Sequence, residues 1–150
     1  MVDWFAKRAT RVVNTLKMIP PFDDNGYLPP GVYRATLDEI VARFGRESRM
    51  RKAQAESLRW LVDLANRAGV TRVVLNGSFV TDVLEPNDVD CVLLIEAGFP
   101  TDAAAEAELV EGLPFLEIKL VRQDGFDEYV HEFFATDRHR VPKGMVEVIL

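Results

Sequence analysis

The chain predicts an α+β (α/β) domain: a small mixed β-sheet flanked by helices, preceded by an N-terminal helical extension. Three observations carry that expectation. Helical periods dominate the first half, while short β-branched and apolar runs alternate with helix-like stretches in the second. Of the 150 residues, 48% are hydrophobic and 28% charged, enough apolar side chains for one sizeable core in a water-soluble chain. Apolar runs such as Val92 to Ile95 are only a few residues long, far from the roughly 20 that cross a bilayer, so no membrane association is expected.

Each element has a local reason. Trp4, Phe5, Val12, Leu16 and Ile19 recur at helical spacings over roughly residues 3 to 18, and Pro20-Pro21 ends that helix. The early Asp3 and the lack of a continuous apolar stretch make this start an amphipathic helix rather than a signal peptide. Phe22 to Gly31, with Asn25-Gly26 and Pro30-Gly31, is a turn-rich connector. Thr36 with Glu39 three residues on is a capping box that opens a short helix reaching Phe44. Ala53, Leu58, Leu61, Val62, Leu64 and Ala65 mark a longer helix over 48–68, closed by Gly69. Strands follow at Thr71 to Leu75 and Val89 to Ile95, the second apolar enough to be covered on both faces. Ala103 to Glu111 reads as helix, Pro114 to Val121 as strand, Gly125 to Ala135 as helix, and Met145 to Leu150 as a last strand.

Charge is unevenly distributed. Residues 1–72 hold 13 Lys and Arg against 8 Asp and Glu, and residues 73–150 hold 5 against 16. Arg43, Arg46, Arg49, Arg51, Lys52 and Arg59 crowd into the basic half, as a phosphate-attracting surface or as a solvated helix face. Cys91 is the single cysteine, which excludes an internal disulfide framework and fits a reducing cytoplasm.

The stretch from Val73 to Ile95 carries the chemistry. Gly77-Ser78 follows a strand, lets the backbone approach a ligand, and puts Ser78 where a helix would begin, with N–H groups positioned for a phosphate. Eleven residues after Gly77, Asp88 and Asp90 flank Val89, so strand alternation points both carboxylates to one face and Cys91 to the other. Two such charges about 4 Å apart repel by on the order of 4 kcal/mol at an effective dielectric near 20, which a divalent cation relieves. Hard oxygen ligands suit Mg²⁺ or Mn²⁺, ions that also bind substrate phosphates. Taken singly, Gly77-Ser78 is equally a tight turn with a Ser cap, and Asp88 a cap of its own turn.

In this order and spacing the residues resemble the nucleotidyltransferase superfamily of DNA polymerase beta: strand, Gly-Ser, short helix, then Asp-hydrophobic-Asp opening a second strand. The resemblance implies a nucleotidyltransferase-like domain over 22–150, after the extension of 1–21. It implies that Gly77 and Ser78 contact a nucleoside triphosphate, and that Asp88, Asp90 and a third carboxylate hold Mg²⁺ (or Mn²⁺). Glu117, on a strand with hydrophobic neighbours, is the candidate for the third acid. Arg138, Arg140 and Lys143 are the candidates for neutralising the triphosphate, with His139 between them read as solvated. Leu28 to Gly31, Gly77 to Thr81, Pro86 to Asp90, Phe133 to Arg138 and Pro142-Lys143-Gly144 are also similar to a family of uncharacterised bacterial proteins, over about residues 28 to 150. The implied reaction moves a nucleoside monophosphate from an NTP to an RNA or protein acceptor, in the setting of a toxin-antitoxin pair with a cognate partner protein. The alternative is a catalytically silent relative, or an antitoxin, that acts by binding a nucleotide or a protein.

Overall fold

The computed structural model describes residues 19–150, so the helix expected over 3–18 lies outside the described residues. In chain order the elements are β1 (Val32–Ala35), α1 (Leu37–Phe44), α2 (Arg49–Ala68), β2 (Arg72–Asn76), a 3₁₀ turn (Ser78–Val80), β3 (Val89–Leu94), α3 (Ala103–Glu111), β4 (Leu116–Val121), α4 (Gln123–Glu128) running into a π-helical turn (Tyr129–Phe133), and β5 (Met145–Val148). The sheet is mixed, as expected, in the order β1-β5-β2-β3-β4. Its outer pairs, β1 with β5 and β3 with β4, are parallel, and the inner pairs through β2 are antiparallel.

The helices form where their caps dictate. Thr36 accepts from the Glu39 backbone while the Glu39 side chain returns to the Thr36 N–H, both halves of the capping box. Replacing Thr36 by Ala is expected to cost about 1 kcal/mol, measured as a shift in the chemical-denaturation midpoint. Ser48 caps α2, and Gly69, at φ 87°, ends it in the left-handed region. Asp102 caps α3 with bonds to the N–H groups of Ala104 and Ala105.

Alternation along the strands separates two apolar layers. On one face Val73, Leu75, Val89, Cys91 and Leu93 pack with Ile40 and Phe44 of α1, Leu58, Leu61 and Leu64 of α2, and Ala105 and Leu109 of α3. On the other, Val74, Val92, Leu94 and Met145 meet Phe126, Val130 and Phe134. The apolar run of β3 is therefore buried on both faces, as its composition predicts. Arg72 and Glu147 lie on the second face, joined by a bidentate pair at 2.9 and 2.6 Å, with the guanidinium 4.8 Å from the Phe126 ring centre.

Three features differ from the expectation. β1 exists although no pattern announced it: this four-residue edge strand has two exposed positions and is held by its pairing with β5. β4 begins at Leu116 because Phe115 sits at φ 65°, which breaks the extended run from Pro114. The helix expected over 125–135 starts at Gln123 and widens into the π turn. Among the described residues, no helix is long and apolar enough to cross a membrane.

Candidate functional site

The site forms where three strands end together. β2 finishes at Asn76, and β3 and β4 begin at Val89 and Leu116. The antiparallel register sets Asn76 beside Asp90, and the parallel register sets Asp90 beside Glu117. Paired residues share a face, so all three side chains stand on the face that carries Val74 and Val92. Asp90 is half-buried, and its carboxyl is pushed up to about 6, first by burial and then by the adjacent Glu117 carboxylate, with Lys143 pulling the other way. Glu117 is more exposed and lies 3.6 Å from the Lys119 ammonium. Burial lowers the pKa of the Lys143 ammonium, against the pull of Asp90 and Asp137. Asn76 is 2% exposed, and its Oδ1 has no hydrogen-bond partner.

Gly77 closes this group from above. It adopts φ 86° and ψ −168°, a region open essentially to glycine alone. A Cβ there would lie 2.7 Å from Asp90 Oδ2. Gly77→Ala is therefore expected to cost about 1–3 kcal/mol in stability and to displace the Asp90 carboxylate, read by thermal melting and by the carboxyl ¹³C shift of Asp90.

The sequence places a helix start at Ser78, but the chain makes a single 3₁₀ turn, too short for a helix-terminal anion site. The turn is braced by Arg51, 3% exposed, which donates to the carbonyls of Phe44 at 3.0 Å, Phe79 at 2.7 Å, Thr81 at 2.8 Å and Ser78 at 3.4 Å. It also donates to Val83 through both Nε and Nη2. Arg51 thus belongs to neither of the surfaces expected of the basic cluster: it is an internal clamp on the loop beyond Gly77. Arg43 also leaves that cluster, donating to the carbonyls of Ile19 and Pro20 over the Phe22 ring. On the far side of the loop, Asp82 N–H donates to the Gly26 carbonyl at 3.0 Å.

The other expected residues divide. Asp88 stands immediately before β3 and is exposed, and on Asp90 it exerts the weakest of the named charge effects. Cys91 points to the opposite face, buried, with its thiol pushed up by desolvation. Lys143 is near enough for its charge to favour the ionised form of Asp90. Arg138, His139 and Arg140 are exposed in a turn folded around Asp137, whose carboxylate accepts from the His139 and Val141 N–H groups and from the Tyr27 hydroxyl at 2.8 Å. Asn76 and Arg51 are site residues that sequence reasoning did not single out. A polar residue closing the apolar run Val73-Val74-Leu75 was the available signal for Asn76.

The donor set suits a hard cation. Asp90 and Glu117 offer adjacent carboxylates, and the orphaned Asn76 amide oxygen stands on the same face. Among the described residues, no group of three or more His, Cys, Asp or Glu that could hold a metal ion is found. Beside the pair opens a cavity of about 270 Å³ lined by Asp90, Cys91, Glu117, Lys119, Tyr129 and Phe134.

Fold and site together define the class: an α+β protein whose mixed sheet carries a carboxylate pair at its strand ends, between a glycine turn and an aromatic-walled cavity. The chain belongs to a family of unknown function, DUF6932, whose model matches residues 20–149. No curated protein and no solved structure matches it.

Proposed function

We propose that the protein is a metal-dependent nucleotidyltransferase, acting in the cytoplasm, that moves a nucleoside monophosphate from an NTP to an RNA or protein acceptor. The observation that carries this reading is the placement of Asp90 against Glu117 across β3 and β4, directly beneath the Gly77 turn. A half-buried Asp90 beside a second carboxylate is unfavourable for the fold, and a cation-dependent function gives the pair a reason to be there. Asp90 and Glu117 would hold Mg²⁺ or Mn²⁺, which when bound neutralises the triphosphate and the charge developing on the leaving pyrophosphate. Gly77, with no Cβ, lets the turn lie directly against the Asp90 carboxylate, where a Cβ would stand 2.7 Å from Oδ2. Lys143 offers a point charge to the same phosphates from its half-buried position. Ser78 follows in the turn that Arg51 holds rigid, and Arg138 stands further out.

Thermal melting with each NTP, with and without Mg²⁺, tests the reading without knowledge of the acceptor. Nucleotide at about 100 times its dissociation constant stabilises by about 2.7 kcal/mol, a rise of about 5–10 °C for this size. The rise is expected to need Mg²⁺ and to vanish in Asp90→Asn. An undiminished rise in that variant, or transfer of labelled nucleotide by it, would overturn the proposal.

The exposed Asp88 favours a second reading, a silent member of a toxin-antitoxin pair that binds nucleotide or its cognate partner protein without turnover. That reading expects the Mg²⁺-dependent rise with no labelled transfer to any acceptor.

A further inference from the structure

The cavity beside the carboxylate pair has two unlike walls. Asp90, Glu117 and Lys119 form a charged side, and Tyr129 and Phe134 form an aromatic one. The aromatic wall depends on the π-helical turn, where the Phe134 N–H bonds the Tyr129 carbonyl at 2.7 Å, five residues back. In an α-helix, residues five apart point about 140° away from each other. The wider turn instead brings the two rings to 5.5 Å between centres, and both face the cavity. Phe133 holds Tyr129 from another side at 5.4 Å. The Tyr129 ring thus packs against both neighbouring rings at the edge of a space open to solvent.

We propose that Tyr129, backed by Phe134, seats the nucleobase, so that the ligand of this site is a nucleoside phosphate and not a bare polyphosphate. The inference rests on the transferase reading for the phosphates and on the aromatic wall for the base. About 270 Å³ falls just short of the roughly 300 Å³ at which drug-sized sites begin. It accommodates one planar ring system and leaves the phosphates outside, toward Asp90, Gly77 and Lys143. An aliphatic ligand would strand the carboxylates and Lys119 against apolar surface, whereas a base presents a π-face to Tyr129 and polar edge atoms to the charged side. Because every base has a π-face, the wall supplies affinity more than base choice.

Isothermal titration of the full chain with Mg²⁺ tests this, with ATP, GTP, CTP, UTP and inorganic tripolyphosphate as probes. At least one NTP is expected to bind about tenfold or more tightly than tripolyphosphate. Tyr129→Leu removes that margin and leaves tripolyphosphate binding unchanged, while Tyr129→Phe keeps the margin. Aromatic ¹³C spectra of the wild type give a readout independent of any variant: the Tyr129 signals move with the nucleotide and stay put with tripolyphosphate. No margin in the wild type, a margin that survives Tyr129→Leu, or an equal loss for both probes would each overturn the base seat. Tripolyphosphate binding that needs Mg²⁺ and Asp90, without a nucleotide margin, would leave the transferase reading standing and remove only the base seat. Nucleotide binding that ignores Mg²⁺ and Asp90 but needs Tyr129 would do the reverse. Failure of every probe on the wild type would end both.

Discussion

Arg51→Met is expected to lower the melting temperature by about 8–16 °C, corresponding to about 4 kcal/mol for a chain of this size. The side chain is 3% exposed and binds the carbonyls of Phe44, Ser78, Phe79, Thr81 and Val83. A carboxylate partner is not what holds the charge in place; five peptide dipoles do. Methionine fills similar volume but donates nothing, and each buried carbonyl left without a donor costs about 1–3 kcal/mol unless water reaches it. Arg51→Lys is expected to recover little, because an ammonium cannot match the planar fork that spans Thr81, Phe79 and Val83 at once. The loop held this way runs directly from Gly77, so the same variants, kept folded at low temperature, should also lose the Mg²⁺-dependent nucleotide response. Melting of Arg51→Met within 2 °C of wild type would show that the clamp is dispensable.

The second large effect is a reversal: Asp90→Asn should melt higher than wild type at pH 7 while losing ligand binding. The carboxyl is pushed up to about 6 from an ordinary value of 3.8, so the folded state holds this proton more tightly than the unfolded chain. Its favourable contribution is complete below about pH 4 and is lost as the pH climbs through about 6. By pH 7 the ionised group costs the fold on the order of 1–2 kcal/mol, after allowing for its partial contact with water. The asparagine variant carries no such penalty, so the difference in melting temperature between variant and wild type should shrink from pH 7 toward pH 4. Millimolar Mg²⁺ at pH 7 should raise wild type alone and close the gap. Calorimetry from pH 4 to 8 decides it, since a pH-independent difference between the two proteins contradicts the geometry of the pair.

How much of this was written locally differs by element. α1, α2 and α3 follow from adjacent residues: Thr36 with Glu39, the αL cap at Gly69, the alanine-rich run after Asp102. β2, β3 and β5 follow from β-branched and apolar runs whose composition suits only a covered strand. β1 has no such signal, because it is held by β5, which lies more than a hundred residues later in the chain. The π turn is likewise invisible to helical periodicity, yet it sets Tyr129 beside Phe134.

The site divides in the same way. Gly77 and Asp90 stand out by residue type and spacing, and Glu117 and Lys143 only through the family resemblance, but their arrangement depends on parallel pairing of β3 with β4 and on the turn before β5. Spacing also paired Asp88 with Asp90, and Asp88 stands exposed one residue before the strand. Arg51 looked like one charge in a basic run until the loop beyond Gly77 folded its carbonyls around it. Amino-acid order settled the helices, most of the strands and the identity of the acids, because caps, periods and side-chain alternation act over a few residues. Tertiary structure alone decided which acid stands beside which, what surrounds Arg51 and what orphans Asn76, because strand register and the neutralisation of a buried charge depend on partners brought together from distant parts of the chain.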